Sequence, residues 1–486
     1  MANFIVQFPL KTEKYQEDIL DNRFEIGRQI YNSLVNVTQK RYKEMIKTTK
    51  YRNLMSQLSG DKKKDKLIWK EISEIRNQYG MSEYSFHNDV KKMQQHFSDN
   101  IDAFTSQKIA TNLWKAYDKF FYGNGEKIHY KKYGNLNSLE GKSNKTGIRL
   151  KNDTIMWNGL KIPVIIDYDN YYEYQAMQFD ISYCRIIRKY MRNKYKYYVQ
   201  IVFKGKPPVK LNAEIGEIKH CIGQGDVGID IGTSTIAYSS YTDVKILELA
   251  DNVQNIENEK RRLLRKMDRS RRATNPNNYN EDGTIKKQCS KKVTWNKSNH
   301  YIKYQNELKE LNRKQADVRK YQHECLANQI ISLGENIYVE AMNFSGLIKK
   351  STKTEKNDKG RFKKKKRFGK SVANRSPAML LEIIDRKLSY YDKHLIKIDT
   401  WSAKASQFNH FDGTYQKKTL SQRWNDFCGI KVQRDLYSAF LIMNIASDLK
   451  SFDIDKCNER FENFYQLHNL EVDRLTGHKN LSSIAI

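Results

Sequence analysis

Apolar and polar residues alternate through the first ten positions, with Phe4, Val6 and Phe8 on one face, the period-2 pattern of a half-buried strand. From about Asn22 the period lengthens, and Ile26, Ile30 and Leu34 recur every four residues, as on an amphipathic helix. Lysine-rich helical sequence runs on to about Phe121, through DKKKDKLIWKEI (61–72) and the apolar set Phe104, Ile109, Leu113 and Trp114. Beyond it, short runs such as KIHYKKY (127–133), GIRLK (147–151), LKIPVII (160–166) and YKYYVQIVFKG (195–205) are parted by Gly, Asn and Ser turns. These predict antiparallel strands that the first strand completes into a small barrel. Tyr195, Tyr197 and Tyr198 lie among lysines there, and both base stacking and a place in the barrel core suit them.

From Gly225 the pattern is α/β. DVGIDIG (226–232) is a buried type of strand, and STIAYSS (234–240) and VKILELA (244–250) follow as a meander. A long helical stretch carries the basic run RRLLRKMDRSRRATNPNN (261–278). Its second arm has Tyr304, Leu308, Leu311, Val318 and Cys325 at heptad-like spacing, which predicts a helical hairpin. ENIYVEAMNF (335–344) is another strand, 349–370 a mobile lysine-rich loop, PAMLLEIIDRKLSYYDKH (377–394) a helix and HLIKIDT (394–400) a strand. LYSAFLIMNIASDL (436–449) reads as the last long helix. The fold class is multidomain, α+β in the first part and α/β in the second.

Charge narrows the function. Lys and Arg number 87 against 56 Asp and Glu, a net of +31, which calls for a polyanionic partner. The six cysteines (Cys184, Cys221, Cys289, Cys325, Cys428 and Cys457) form no CxxC pair, so neither a disulfide framework nor a cysteine-rich metal site is expected. No run approaches the roughly 18 apolar residues of a membrane span. A soluble bacterial cytoplasmic protein with no membrane partner is expected.

Three acids stand out by position. Asp230 lies in the first α/β strand, within GIDIGTS, Glu340 ends the strand IYVE, and Asp435 opens the last helix in QRDLYSAF. Alone, each has a structural reading: a turn former, a solvated rim residue, a helix cap. Together, on a first strand, a fourth strand and a helix start, they are the acids that converge in an RNase-H-like sheet. There they would hold two divalent ions about 3.5–4 Å apart for in-line displacement at a phosphodiester. Such hard oxygen ligands favour Mg²⁺ or Mn²⁺ over zinc.

The segments GIDIGTSTIAY, KMDRSRRATNP, IYVEAMNFSGL and QRDLYSAFLIMNIA give the chain its likeness: over 225–450 it resembles the TnpB (OrfB) transposon nucleases and the related compact type V CRISPR effectors. The resemblance implies an RNA-guided DNA endonuclease of the RuvC type, with Asp230, Glu340 and Asp435 as catalytic metal ligands, and guide RNA and double-stranded target DNA as partners. It implies a wedge barrel over 1–15 and 122–215 and a helical recognition domain over 16–121. A RuvC-like domain would span 225–400 and 430–486, with a nucleic-acid-loading insert over 401–429. The family's insert carries a four-cysteine zinc knuckle, whereas the matching positions here are Asn409, Asp412, Asn425 and Cys428, so no zinc is expected.

Arg261, Arg262, Arg265, Arg269, Arg271 and Arg272, with only Asp268 among them, are expected to grip nucleic acid, as is Arg434 beside the last acid. Lys363, Lys364, Lys365, Lys366 and Arg367 are expected to order over the guide–target duplex. Two rival functions follow from the same residues. GIDIGTS also resembles the phosphate loop of sugar kinases and actin-like ATPases, but no second phosphate or adenosine motif accompanies it. A guided DNA-binding repressor that has lost cleavage would show substitutions among the three acids, and none is present.

Overall fold

The computed structural model describes residues 3–61, 63–123, 125–192, 194–286, 293–352, 354–357, 360–362, 368–419 and 422–477. Lys363–Arg367 and Cys289, singled out above, lie outside them. The chain divides into two compact units, Met1–Leu211 and Asn212–Ile486.

In the first unit, β1 (Asn3–Pro9) buries Phe4, Val6 and Phe8 and exposes the residues between them, as its alternation requires. Five helices follow: α1 (Lys14–Met45), α2 (Thr49–Ser56), α3 (Lys66–Gln78), α4 (Glu83–Gln95) and α5 (Ala103–Phe121). Ile26, Ile30 and Leu34 of α1 are buried against them, with Ile109 and Leu113 of α5 in the same core. The remaining elements are β2 (Ser138–Glu140), β3 (Arg149–Lys151), β4 (Thr154–Trp157), β5 (Leu160–Pro163), α6 (Tyr171–Met177), β6 (Ile181–Met191) and β7 (Lys194–Lys204).

The expected barrel does not close among the described residues. The strands form a four-stranded sheet, β1-β7-β6-β2, and a separate meander, β3-β4-β5. They meet at the single bridge Leu10↔Val164, which Pro9 and Pro163 flank. Neither proline has an N–H to extend a ladder, so pairing stops there. Tyr197 is a core residue, its hydroxyl donating to the Glu17 carbonyl, and Tyr195 lies half-buried under the Arg188 guanidinium.

In the second unit, β8 (Asp226–Ile231), β9 (Thr235–Ser239) and β10 (Val244–Glu248) form an antiparallel meander. The hairpin of α7 (Val253–Thr274) and α8 (Asn299–Ile331) precedes β11 (Asn336–Glu340). Then come α9 (Phe344–Ile348), α10 (Gly369–Arg375), α11 (Pro377–Leu388), β12 (Ile396–Ile398) and α12 (Thr400–Ala403). The sheet order is β10-β9-β8-β11-β12, with β11 parallel to both β8 and β12. One face packs Val227, Ile229, Ile231, Ile337 and Val339 against α8 and α11. The other packs Ala237, Val244 and Ile246 against α13 (Arg434–Met443) and α14 (Ile454–Gly477).

Two short hairpins, β13 (Phe408–Asn409) with β14 (Thr414–Tyr415) and β15 (Trp424–Phe427) with β16 (Ile430–Gln433), lie between α12 and α13. The helix expected over 436–449 ends at Met443, where the Asn444 side chain turns back to the Phe440 carbonyl and the bridge Ile445↔Phe452 begins a tight return. The last long helix is α14 instead, started by the Asp453 carboxylate accepting from the Lys456 N–H. In α8 the heptad reading also fails at Cys325, which is exposed while Gln315 and His323 are buried.

Candidate active site

Strand parity decides which way the acids face. On β8, Val227, Ile229 and Ile231 point to one side of the sheet, so Gly228 and Asp230 point to the side of α13. On β11, Ile337 and Val339 point away, leaving Tyr338 and Glu340 on the α13 side. The parallel register pairs Tyr338 with Gly228 and Val339 with Ile229, so one step further it sets Glu340 beside Asp230. Neighbouring strands lie about 4.8 Å apart, which puts the two carboxylates side by side on adjacent strands.

The third acid comes from above the sheet. Gly228 lets α13 approach: a Cβ there would fall 2.1 Å from the Ala439 carbonyl oxygen and 2.3 Å from the Met443 nitrogen. No side chain tolerates that approach, and the bare backbone is what seats the helix on β8. Gln433 caps α13, its side chain accepting from the Leu436 N–H at 2.8 Å, and Asp435 occupies the first turn, where the helix dipole favours an anion.

Asp230, Glu340 and Asp435 line one cavity of about 550 Å³, together with the β8–β9 turn (232–235), Met342, Ser406, Gln407, Lys417, Lys418, Arg423 and Arg434. Burial and the nearby Glu340 and Asp435 carboxylates push Asp230 well above the usual carboxylate range, partly opposed by Arg434. Burial also raises Glu340. Neither the Asp230 nor the Glu340 carboxylate accepts a hydrogen bond from a described residue, whereas Asp435 is held by two arginines. Arg434 donates to Asp435 Oδ1 through Nε at 3.2 Å and Nη2 at 3.1 Å, and Arg423 Nη1 donates to Oδ2 at 3.5 Å. Two desolvated carboxylates without donors beside a third leave oxygen ligands that no described side chain of the cavity engages directly, which suits hard cations. Among the described residues no three His, Cys, Asp or Glu side chains form a ready-made shell for one ion. Mg²⁺ does not require one: it keeps several waters and takes one or two carboxylates plus phosphate oxygens.

The chain between the two hairpins brings Lys417, Lys418 and Arg423 to the cavity. Arg434 Nη1 donates to the Thr419 and Gln422 carbonyls at 3.3 and 3.0 Å, so the residue expected to bind nucleic acid also ties this segment to α13. At the positions matching zinc ligands, Asn409 accepts from the Phe411 N–H, Asp412 from the Thr414 N–H and hydroxyl, and Asn425 from Lys418 Nζ at 2.6 Å. Cys428 is exposed at φ 53° in the two-residue turn with Gly429. Aromatic packing links the hairpins instead, with Phe411 and Phe427 rings 5.3 Å apart and both against the Tyr437–Phe461 cluster of α13 and α14.

The basic run on α7 divides into two sets. Arg271 and Arg272 both pair with Asp268, at 2.6 and 2.8 Å, and lie over Trp295 and Tyr279, while Arg261 pairs with Glu257 at 3.7 Å. Arg262, Arg265 and Arg269 are exposed and form no ion pair with a described residue. Arg423 and Lys417 were not singled out from the sequence. The RW of LSQRWNDF held the signal for Arg423, but only the β15–β16 hairpin brings it back to Asp435.

No family model and no curated protein sequence matches this chain. Among solved structures it is similar to a CRISPR–Cas12f ternary complex, at 13% identity over 88% of this chain and 82% of that chain, with a TM-score of 0.25. It is also similar to a Cas12i–crRNA–double-stranded DNA complex, at 10% identity over 94% of this chain and 65% of that one, with a TM-score of 0.24. Among the described residues no helix is long and apolar enough to cross a membrane.

Proposed function

We propose that this chain is a metal-dependent nuclease that cuts DNA selected by a bound guide RNA, of the TnpB or compact type V effector kind. One observation carries the nuclease reading: carboxylates from β8, β11 and α13 share a cavity with four cationic side chains, and two of those carboxylates have no described donor. The sheet order, three antiparallel strands followed by two parallel ones, supports the RNase-H-like reading. The guide rests on the sequence resemblance and on the +31 charge.

Asp230, Glu340 and Asp435 would hold two Mg²⁺ or Mn²⁺ ions, which when bound supply an activated water and stabilise the leaving oxygen. The chain's own cations do the rest. Arg434, anchored to two carbonyls, fixes Asp435 at the cavity. Arg423, a third exposed and bound to Asp435 by one long contact, is placed to hand that oxygen over and take a phosphate oxygen in exchange. A phosphate-loop ATPase is disfavoured by the turn after β8, where the Gly232 N–H is already donated to the Thr235 carbonyl at 2.9 Å.

The test uses the RNA that co-purifies with the protein. Its sequence defines a complementary DNA, and wild type with Mg²⁺ should cut it. Asp230→Ala, Glu340→Ala and Asp435→Ala should bind the same DNA and leave it whole. Cutting by Asp230→Ala at the wild-type rate removes the assignment.

A further inference from the structure

Trp401 is the most exposed large hydrophobic side chain among the described residues, at 89%, while the other five tryptophans are buried or half-buried. An indole left in water on a floppy loop would mean little, but the backbone that carries this one is held. The Trp401 N–H donates to Asp399 Oδ1 at 3.0 Å and the Ser402 hydroxyl to Asp399 Oδ2 at 2.9 Å. The Asp399 N–H in turn donates to the Leu449 carbonyl, and Ala403 and Ala405 are fully packed just beyond.

The position is also particular. Thr400 Oγ1 accepts from the N–H of Ala341, the residue after Glu340, so Trp401 lies one residue from the rung that carries a cavity acid. Met342 on one side of that contact, and Ser406 and Gln407 on the other, line the acidic cavity. The chain on either side of it is polar at the surface: Lys397, Ser402 and Lys404 are exposed, as is Lys450, which follows the Leu449 whose carbonyl accepts from Asp399, so Trp401 does not sit in a run of exposed apolar residues. An exposed indole on a fixed backbone turn, in a segment that leads into the lining of a cavity shared by Lys417, Lys418 and Arg423, has the chemistry of a single-strand platform, with a ring for bases and cations for the backbone.

We infer that Trp401 stacks on an unpaired nucleobase next to the phosphate held in the cavity, and so positions the strand to be cut. The inference rests on the nuclease reading above and names a positioning residue for it. An unpaired strand is required because a base inside a duplex offers its face only to its neighbours.

Binding is measured in EDTA with full-length protein, using an oligothymidine of about 15 nucleotides and an abasic oligomer of the same length and charge. Wild type should bind the oligothymidine with quenching of tryptophan emission. Trp401→Ala should bind it about tenfold more weakly with most of the quench gone, and Trp401→Phe should recover most of the affinity. Both variants should melt with wild type and bind the abasic oligomer equally well. Equal affinity and equal quench in Trp401→Ala overturn the stacking role alone, with cleavage of the guided target by wild type still standing. A wild type that binds neither oligomer overturns the stacking role, whereas the nuclease reading falls only if the wild type also fails to cut the guided target with Mg²⁺.

Discussion

Replacing Asp230 by Asn should stabilise the metal-free protein. Burial, then the Glu340 and Asp435 carboxylates, hold Asp230 well above the usual carboxylate range, and no described residue donates to it. In the unfolded chain an aspartate titrates near about pH 3.9. Below that, both states are protonated and the site costs nothing. As pH rises the unfolded chain ionises first and stability falls, until pH passes the raised folded value and the deficit becomes constant. Each tenfold weakening of the folded acid amounts to about 1.4 kcal/mol. At roughly 2–4 °C per kcal/mol for a domain of a few hundred residues, that is about 3–6 °C of melting temperature per tenfold. The assay is thermal melting of wild type and Asp230→Asn in EDTA from about pH 4 to 8, repeated with Mg²⁺. The variant should melt higher in EDTA at neutral pH, the gap should narrow towards the acid end, and Mg²⁺ should raise wild type far more than the variant. A variant that melts below wild type in EDTA at neutral pH refutes the reasoning, since the carboxylate would then be satisfied by the protein alone.

Gly228→Ala places a methyl 2.1 Å from the Ala439 carbonyl oxygen, so α13 must lift and carry Asp435 with it. Single-turnover cleavage should fall on the order of 100-fold, with a stability loss of about 1–3 kcal/mol; an unchanged rate would mean that the helix seat does not set the site. His410, buried with Nδ1 2.6 Å from the Tyr437 hydroxyl, has its pKa lowered by burial to about 4. The stability it preserves is complete above about pH 6.5 and is lost as pH falls from there to about 4, by up to roughly 3 kcal/mol, so urea unfolding of His410→Gln should depend less steeply on pH over that window than wild type does. Neutralising Arg262, Arg265 and Arg269 should lower the slope of log K against log salt by roughly 0.7–0.9 per phosphate contact, and neutralising Arg271 and Arg272 should lower it less, because Asp268 already holds those two. Equal slopes for the two sets would show that their pairing with acid is lost on binding.

The acids were legible because each sits where a periodic pattern breaks: Asp230 inside an apolar strand, Glu340 at a strand end, Asp435 at the opening of an apolar helix. Their meeting depends on register, which local pattern does not encode, and on Gly228, which in sequence is one more small residue in a strand. The barrel was misread for a related reason. Alternation marks Asn3–Pro9 and Lys194–Lys204 as strands, but which edges join is settled by where Pro9 and Pro163 remove donors. Arg423 and Trp401 carried little signal in the sequence, because the roles proposed for them depend on what the chain folds beside them. On α7 the sequence showed six arginines, and only the fold separates the three paired with Glu257 and Asp268 from the three that form no ion pair with a described residue.

The central claim is that Asp230, Glu340 and Asp435 are ligands to catalytic metal. A crystal of the protein with guide RNA and an uncut DNA analogue, soaked in Mn²⁺ and measured for anomalous scattering, tests it most directly. Two peaks about 3.5–4 Å apart among these three carboxylates, absent from the Asp230→Asn crystal, are what the account predicts. A cavity with bound DNA and no peak, or manganese held elsewhere by other residues, would contradict it.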